Sequence, residues 1–504
     1  NNKFNIGNEE VPMRRINPKE RMFKNRDEEI IYTGDRGYKL ADVFENKVKL
    51  DDFVAQLSYN DLICMFRGEG MCSPKVTPGT AAAFGGITES LRNFGIPVAC
   101  CADGPSGIRM DCGTNAFSLP NGTALGCTFN VDLVKKLYKM TGIELCRNKI
   151  DSLLGPGMNI HRNPLNGRNF EYVSEDPILT GKIGAAQVIG IQEAGSTATI
   201  KHVCANNQEA SRRFVDSIVS ERALREIYLK GFEIAVKEGK ARSVMTTYNP
   251  VNGIWTAGSY DLCTTILRKE WGFDGIVMTD WWAEANTEGE KSTRENKAPM
   301  VLAQNDLYMC VSNSLENPEN DNIKERFEAG EVTRSDLQRN AKNILKFIMK
   351  SQAMLHELNL ISKEDLEEIN GQDDDGNISL EDIVYYYADK DSNDIIIDAS
   401  NFNNKKGDSE VFGISLNELG LYNIEITMKS EQGSLSQLPL SIYYDNALKS
   451  TITIRGTEGE WVTESRELGF IFGVNHYIKL YFGASGLDID KVVIKFMGKG
   501  KLPF

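Results

Sequence analysis

The sequence predicts an α/β chain in two parts: a (β/α)8 barrel over residues 58–350 and an all-β sandwich, jelly-roll-like, over 394–504. Three observations predict it. Between 58 and 350, short apolar runs alternate with amphipathic helical stretches, the pattern of a parallel sheet covered on both faces. Each of those runs ends in a polar residue at its C-terminal tip. From residue 394 the period changes to two, with Gly, Asn and Ser turns between segments.

Taken in order, residues 1–57 are polar and weakly periodic and read as an arm entering a larger body. The start, NNKFNIGNEEVPMRR, has no apolar stretch of the secretory kind and no initiating Met, so the expectation is a fragment or a processed chain. The barrel runs are VACCAD (98–103), SLLGPGMNI (152–160), TATIKHV (197–203), SVMTTYN (243–249) and GIVMTDWW (275–282). Helical stretches such as SERALREIYLKGFEIAVKEG (220–239) separate them, and NAKNILKFIMKSQAML (340–355) would close the barrel. The length fits a (β/α)8 barrel, with a doubly wound open sheet as the alternative. The tips are Asp103, Asn159, Lys201 with His202, Tyr248 with Asn249, and Asp280. Barrel enzymes place their chemistry at that end, so five converging polar tips imply a pocket.

Residues 351–393 read as an acidic connector. The window from Lys363 to Asp394 holds twelve acids and two bases, so it carries −10 of the net charge of −14. Within it, QDDDGNISLED resembles half of a calcium loop, with Asp373, Asp375 and Asp382 at ligand positions if Gly376 makes the sharp turn. Gly371 would then occupy the first ligand position, where it offers no side chain, and a solvated acidic turn explains the segment equally. Beyond it, DIIIDASNF, YNIEITMK, LPLSIYYDN, STITIR, YIKLYFG and DKVVIKF alternate as sandwich strands. This part resembles the carbohydrate-binding modules appended to polysaccharide enzymes. Tyr443, Tyr444, Trp461, Tyr477 and Tyr481 would serve either as sugar platforms or as sandwich core.

Composition narrows the function classes. An apolar fraction of 41% and a charged fraction of 25% are those of a folded, soluble protein. No apolar run reaches the length of a membrane span, and no basic patch interleaved with aromatics suggests nucleic acid. The ten cysteines lie between Cys64 and Cys310 without a CxxC pair, which points to buried free thiols in a reducing, cytoplasmic setting. The four histidines, 161, 202, 356 and 476, show no metal-ligand spacing, and no cofactor is expected.

The segment GRNFEYVSEDP (167–177) is too polar for a core strand and too aromatic for an ordinary loop. It belongs to a set: IPVACCADGPSGIR (96–109), GPGMNIHRNPLNGRNFEYVSEDP (155–177), KHVCANNQEASRR (201–213), SVMTTYNPVNG (243–253) and EWGFDGIVMTDWW (270–282). In this order and spacing, over about residues 60–350, the set resembles glycoside hydrolase family 3, whose members include β-glucosidases. A sugar is a ring of hydroxyls around an apolar face. Its recognition needs carboxylates, forked cations and an aromatic wall, and its cleavage needs a carboxylate beneath the anomeric carbon.

The resemblance implies Asp280 as nucleophile, ionised with the help of Arg168 and Lys201, forming a covalent glycosyl-enzyme that water hydrolyses with retention. It implies Asp103, Arg168, Lys201, His202 and Arg212 as hydroxyl contacts, Tyr248 as a donor near the sugar and Trp281 as its apolar wall. Glu171, Ser174, Glu175 and Asp176 would fix the loop. The general acid is the open point. One branch supplies a second histidine from a KHFPGHG-type loop, but this chain reads KHVCANN. The β-glucosidase branch supplies a glutamate from an α/β sandwich domain. No such domain follows the barrel here, so the chain resembles the back half of a member with inverted domain order. The acid/base glutamate is then expected on an N-terminal segment or a second polypeptide, with Glu209, Glu284 and Glu288 as local alternatives. The expected substrate is a terminal β-D-glucosyl residue. A β-xylosidase, a glycan-binding protein without activity and a phosphorylase are the other readings; no site for phosphate is evident.

Overall fold

The computed structural model describes residues 18–500 apart from 71, 72, 74, 78, 111–115, 287, 288, 362–382, 434, 435 and 446. The calcium candidate Asp373, Asp375 and Asp382 therefore lies outside the described residues, as does Glu288. The chain divides into two compact units, Asn1–Cys112 with Ala116–Gln372 and Gly113–Asn115 with Asp373–Phe504.

The first unit is built on one eight-stranded sheet. Its strands are β1 (Arg67–Glu69), β2 (Ala82–Gly85), β3 (Val98–Asp103), β4 (Ser152–Leu154), β5 (Thr197–Val203), β6 (Ser243–Thr246), β9 (Ile276–Met278) and β10 (Tyr308–Val311). A two-strand hairpin, β7 (Pro250–Val251) with β8 (Ile254–Trp255), stands between β6 and β9. The order is β10-β1-β2-β3-β4-β5-β6-β9, and a bridge from Met278 to Leu307 joins the two ends, so the sheet closes as a barrel. The expected all-parallel pattern has one departure: β2 runs antiparallel to β1 and β3. A parallel neighbour would need a crossover connection, and the described residues between β1 and β2 hold no helix.

Five of the eight strands coincide with the apolar runs. The other three, β1, β2 and β10, are three or four residues long and carry few branched apolar side chains. Around the barrel, the helix Pro177–Glu193 starts from Asp176, whose carboxylate accepts from the amides of Ile178 and Leu179. It lies so close to the helix Val131–Arg147 that a Cβ on Gly190 would come within 2.3 Å of the Lys135 carbonyl. The closing helix begins at Arg334, earlier than its apolar periodicity suggests, because Thr333 and Asp336 form a capping box. It ends at Ile348, and Ser351 caps a separate helix, Gln352–Glu357. The 220–239 stretch is helical with a π-turn at Leu224–Tyr228. Near the end of the polar N-terminal region, Leu40, Phe53, Val54 and Leu57 are buried in the same core as the barrel strands.

The second unit is a sandwich of two sheets. One holds β11 (Tyr385–Tyr387), β13 (Ser409–Ser415), β18 (Asn475–Phe482), β15 (Gln437–Tyr444) and β16 (Ala447–Arg455). The other holds β12 (Ile395–Asp398), β19 (Asp488–Gly498), β14 (Gly420–Lys429) and β17 (Val462–Ile471). Period-two burial is clearest in β14, where Tyr422, Ile424, Ile426 and Met428 point inward. β17 reads VTESRELGFI, too polar to announce a strand; it lies at one edge of its sheet, paired with β14 alone.

Candidate active site

The expected site residues converge at the C-terminal ends of the barrel strands. Asp103 is the last residue of β3, Lys201 and His202 lie in β5, Tyr248 follows β6 by two residues and Asp280 follows β9 by two. The segment 167–177 lies against this end. Gly122 touches it so closely that a Cβ there would meet the Glu171 carbonyl at 2.2 Å.

The eight candidates form one connected cluster. Lys201 Nζ lies 3.0 Å from Asp103 Oδ1 and 3.6 Å from Glu171 Oε1. Arg168 grips Glu171 with two parallel hydrogen bonds of 2.7 and 2.8 Å. Glu209 lies 3.9 Å from Arg168 and 3.3 Å from Arg212. The guanidinium groups of Arg212 and Arg213 lie 4.7 and 4.5 Å from the centre of the Tyr248 ring. Tyr248 donates to the Trp281 carbonyl at 2.8 Å, and the Trp281 amide donates to Asp280 Oδ1 at 2.8 Å. Asp280 Oδ2 faces His202 Nε2 at 3.6 Å.

Electrostatics follow from this packing. Burial pushes the Asp103 carboxyl up, but Lys201, the Gly104 amide and Arg109 outweigh it and hold the group below its ordinary range. Lys201 shows the reverse balance: burial lowers it, and Asp103 and Glu171 raise it above the usual lysine value. Burial, with Arg168, Lys201 and Arg212 nearby, pushes His202 well down, so it is a neutral imidazole. Its contact with Asp280 is therefore no ion pair. At Asp280 burial adds to the expected balance. Arg168 and Lys201 do favour its anion, as do the Trp281 amide and Tyr248, but burial outweighs them and the carboxyl lies above the ordinary range.

The local acid candidates have other partners. Glu209 accepts from Asn206 at 3.0 Å and from Arg212, while Glu284 accepts from Ser292 at 2.5 Å. A separate cavity of about 630 Å3, lined by Lys75, Arg92, Lys149, Asp151 and His356 among others, contains none of the cluster. It lies at the N-terminal start of β3, the wrong end for barrel chemistry. Among the described residues no group of three metal-ligating side chains exists, and no helix is long and apolar enough to cross a membrane. In the sandwich, cations already face three of the aromatics proposed as platforms: Lys479 lies over Tyr443, Lys449 over Tyr444 and Lys429 over Trp461.

A family model, the glycosyl hydrolase family 3 N-terminal domain, matches residues 75–347 and so takes in the whole cluster. The chain belongs to glycosyl hydrolase family 3. A β-glucosidase of Ruminococcus albus is 49% identical over 97% of this chain and 51% of its own length. The crystal structure of a β-glucosidase from Paenibacillus barengoltzii is 46% identical, with a TM-score of 0.67 over 96% of this chain and 51% of that one. β-Glucosidase 3B from Thermotoga neapolitana, in complex with glucose, is 37% identical, with a TM-score of 0.56 over 64% of this chain and 45% of that one. This family 3 chain thus spans about half the length of the relatives it matches.

In this family 3 barrel, sequence reading missed Tyr172, Asn206 and Arg213. Tyr172 looked like part of an aromatic loop, yet it is fully buried, its hydroxyl between Asn206 and His202. Asn206 and Arg213 stand in the same KHVCANNQEASRR motif as Lys201 and Arg212, which is the signal that could have flagged them.

Proposed function

We propose that this chain carries the nucleophile-bearing half of a retaining exo-β-glycosidase acting on terminal β-D-glucosyl residues. The observation that carries the reading is Asp280: a carboxyl buried at a strand tip, one oxygen on the Trp281 amide, among Arg168, Lys201 and a neutral His202. Relatives named β-glucosidases support the substrate class. Desolvation, which raises the carboxyl, also strips its anion of hydrating water and makes it the stronger nucleophile. A carboxylate oxygen attacks the anomeric carbon, the bond to the departing oxygen breaks, and water later cleaves the ester with retention. In this reading Asp103, Arg168, Lys201, His202 and Arg212 hold hydroxyls, with Tyr248 and Trp281 beside the nucleophile. The departing oxygen needs a proton, and Glu209 and Glu284 are engaged elsewhere. Glu288 lies outside the described residues, and the reading keeps the acid/base glutamate where the family resemblance puts it, on a segment outside this chain. A relative that is one polypeptide of about twice the matched length favours a segment of the same polypeptide over a separate second chain.

The test uses a substrate whose leaving group needs no acid. Incubation with 2,4-dinitrophenyl 2-deoxy-2-fluoro-β-glucoside should add one fluoroglucosyl group to the chain, located by peptide mapping on Asp280 and absent in Asp280→Ala. An adduct elsewhere, or none on the folded chain, overturns the proposal.

A further inference from the structure

Behind Asp280, Asn206, Tyr172 and His202 form a line of hydrogen bonds that ends on the imidazole facing it. Asn206 Nδ2 donates to the Tyr172 hydroxyl at 2.7 Å. An amide nitrogen only donates, so the Tyr172 oxygen is the acceptor there and its own proton is free to point elsewhere. The Tyr172 hydroxyl lies 3.3 Å from His202 Nδ1. A neutral imidazole with an acceptor Nδ1 carries its proton on Nε2, and Nε2 is the nitrogen facing Asp280 Oδ2 at 3.6 Å. Tyr172, His202 and Asn206 are all buried. The main chain of His202 is itself fixed by Asn159, which accepts from its amide at 3.0 Å and donates to its carbonyl at 2.8 Å. The ring can therefore neither turn over easily nor exchange its partner for water.

From this geometry we propose that Tyr172 and Asn206 are positioning residues for the nucleophile: they fix the proton of His202 on Nε2, so that an N–H rather than a lone pair faces Asp280 Oδ2. The consequence is directional. Oδ1 is held by the Trp281 amide, and an N–H facing Oδ2 from 3.6 Å, beyond hydrogen-bond distance here, is a second donor able to close on the carboxylate as its anion forms. The other tautomer would set a nitrogen lone pair against a carboxylate oxygen and repel it. No proton travels along the line. Burial and the three cations nearby, Arg168, Lys201 and Arg212, oppose a second proton on the ring; Asp280 opposite pulls the other way and is outweighed, which keeps the arrangement in its neutral form.

The inference rests on Asp280 being the nucleophile, but its first test does not. In the full chain labelled with 15N-histidine, His202, assigned by its loss in His202→Gln, should show a protonated Nε2 and an unprotonated Nδ1. A protonated Nδ1 in the wild-type chain overturns the proposal outright, whatever the chain's activity. In Tyr172→Phe, that preference should relax toward a mixture. The rate of trapping by the fluoroglucoside should fall about 10- to 100-fold, the usual effect of removing a group that orients a reactive one. An unchanged tautomer and trapping rate in Tyr172→Phe also overturn the proposal. If that variant fails to fold, Asn206→Ala, which leaves the tyrosine free to rotate, carries the same two readouts. Absence of trapping in the wild-type chain refutes the assignment of Asp280, and the tautomer then still decides the proton's place.

Discussion

Lys201→Met is the most informative single perturbation of the cluster. It deletes a buried ammonium, 5% exposed, that lies 3.0 Å from Asp103 and 3.6 Å from Glu171. Removing one member of a fully buried ion pair costs about 3–5 kcal/mol, because the other is left uncompensated. Two features reduce that here. Glu171 keeps its two-fold grip on Arg168, and the Asp103 side chain is 36% exposed with Arg109 at 3.6 Å, so water screens much of its loss. The methionine also removes the desolvation cost of the ammonium. A net loss of about 1–2 kcal/mol at neutral pH follows, after discounting Asp103 for its exposure.

The pH dependence supplies the refuting result. In the wild-type chain Asp103 is held below its ordinary value, so its contribution is present above the unfolded carboxyl pKa and is lost as pH falls through the lower, folded one. In the variant, burial acts without Lys201, the folded pKa rises, and the buried anion is relieved as pH falls. The difference between the two chains should therefore be greatest at pH 6–8 and shrink toward about pH 4, the ordinary carboxyl range. Urea unfolding followed by tryptophan fluorescence measures it, since Trp255, Trp271, Trp281 and Trp282 all belong to the barrel unit. A loss that is the same at pH 7 and pH 4.5 would mean that packing, not charge pairing, holds Lys201, and the electrostatic account would be wrong.

Three further outcomes are expected. Asp321→Ala strands Arg67, whose Nε lies 2.7 Å from Asp321 and whose side chain is 7% exposed; it should cost about 3–4 kcal/mol in urea unfolding, with trapping at Asp280 unchanged below the melting range. Lys297 is buried over the Tyr308 ring at 3.8 Å with no hydrogen-bond partner for its ammonium among the described residues, and burial lowers it to about 8. Its charged form destabilises the fold below that pH and is relieved between there and the unfolded value near 10.5. Lys297→Met should therefore stabilise by about 1 kcal/mol at pH 7 and by less at pH 9.5, measured by thermal unfolding. Tyr248→Phe removes the donor to the Trp281 carbonyl and should lower both stability, by about 1 kcal/mol, and the trapping rate; an unchanged trapping rate would remove Tyr248 from the site.

Much of this protein was legible in order along the chain. Long runs such as TATIKHV and GIVMTDWW announce buried parallel strands because both faces need apolar side chains, and their polar tips, Lys201, His202 and Asp280, mark where the barrel opens. Five motifs in register were enough to place the chain in its family. Period two was enough for β14, though not for β17, whose polar face outnumbers its apolar one.

What the tertiary structure decided depends on distance rather than order. β2 runs antiparallel between β1 and β3, the strands before and after it in the chain, a reversal that its own four residues do not announce. Asp280 lies above the ordinary carboxyl range, since burial there exceeds the pull of Arg168 and Lys201; neither quantity can be read from VMTDWW. The line from Asn206 through Tyr172 to His202 joins residues 34 and 30 positions apart, and only the folded barrel brings them within hydrogen-bond reach. The sequence by itself determined which chemical groups the site contains. Folding decided their charge and their partners, because those depend on how much water is excluded and which dipoles remain to replace it.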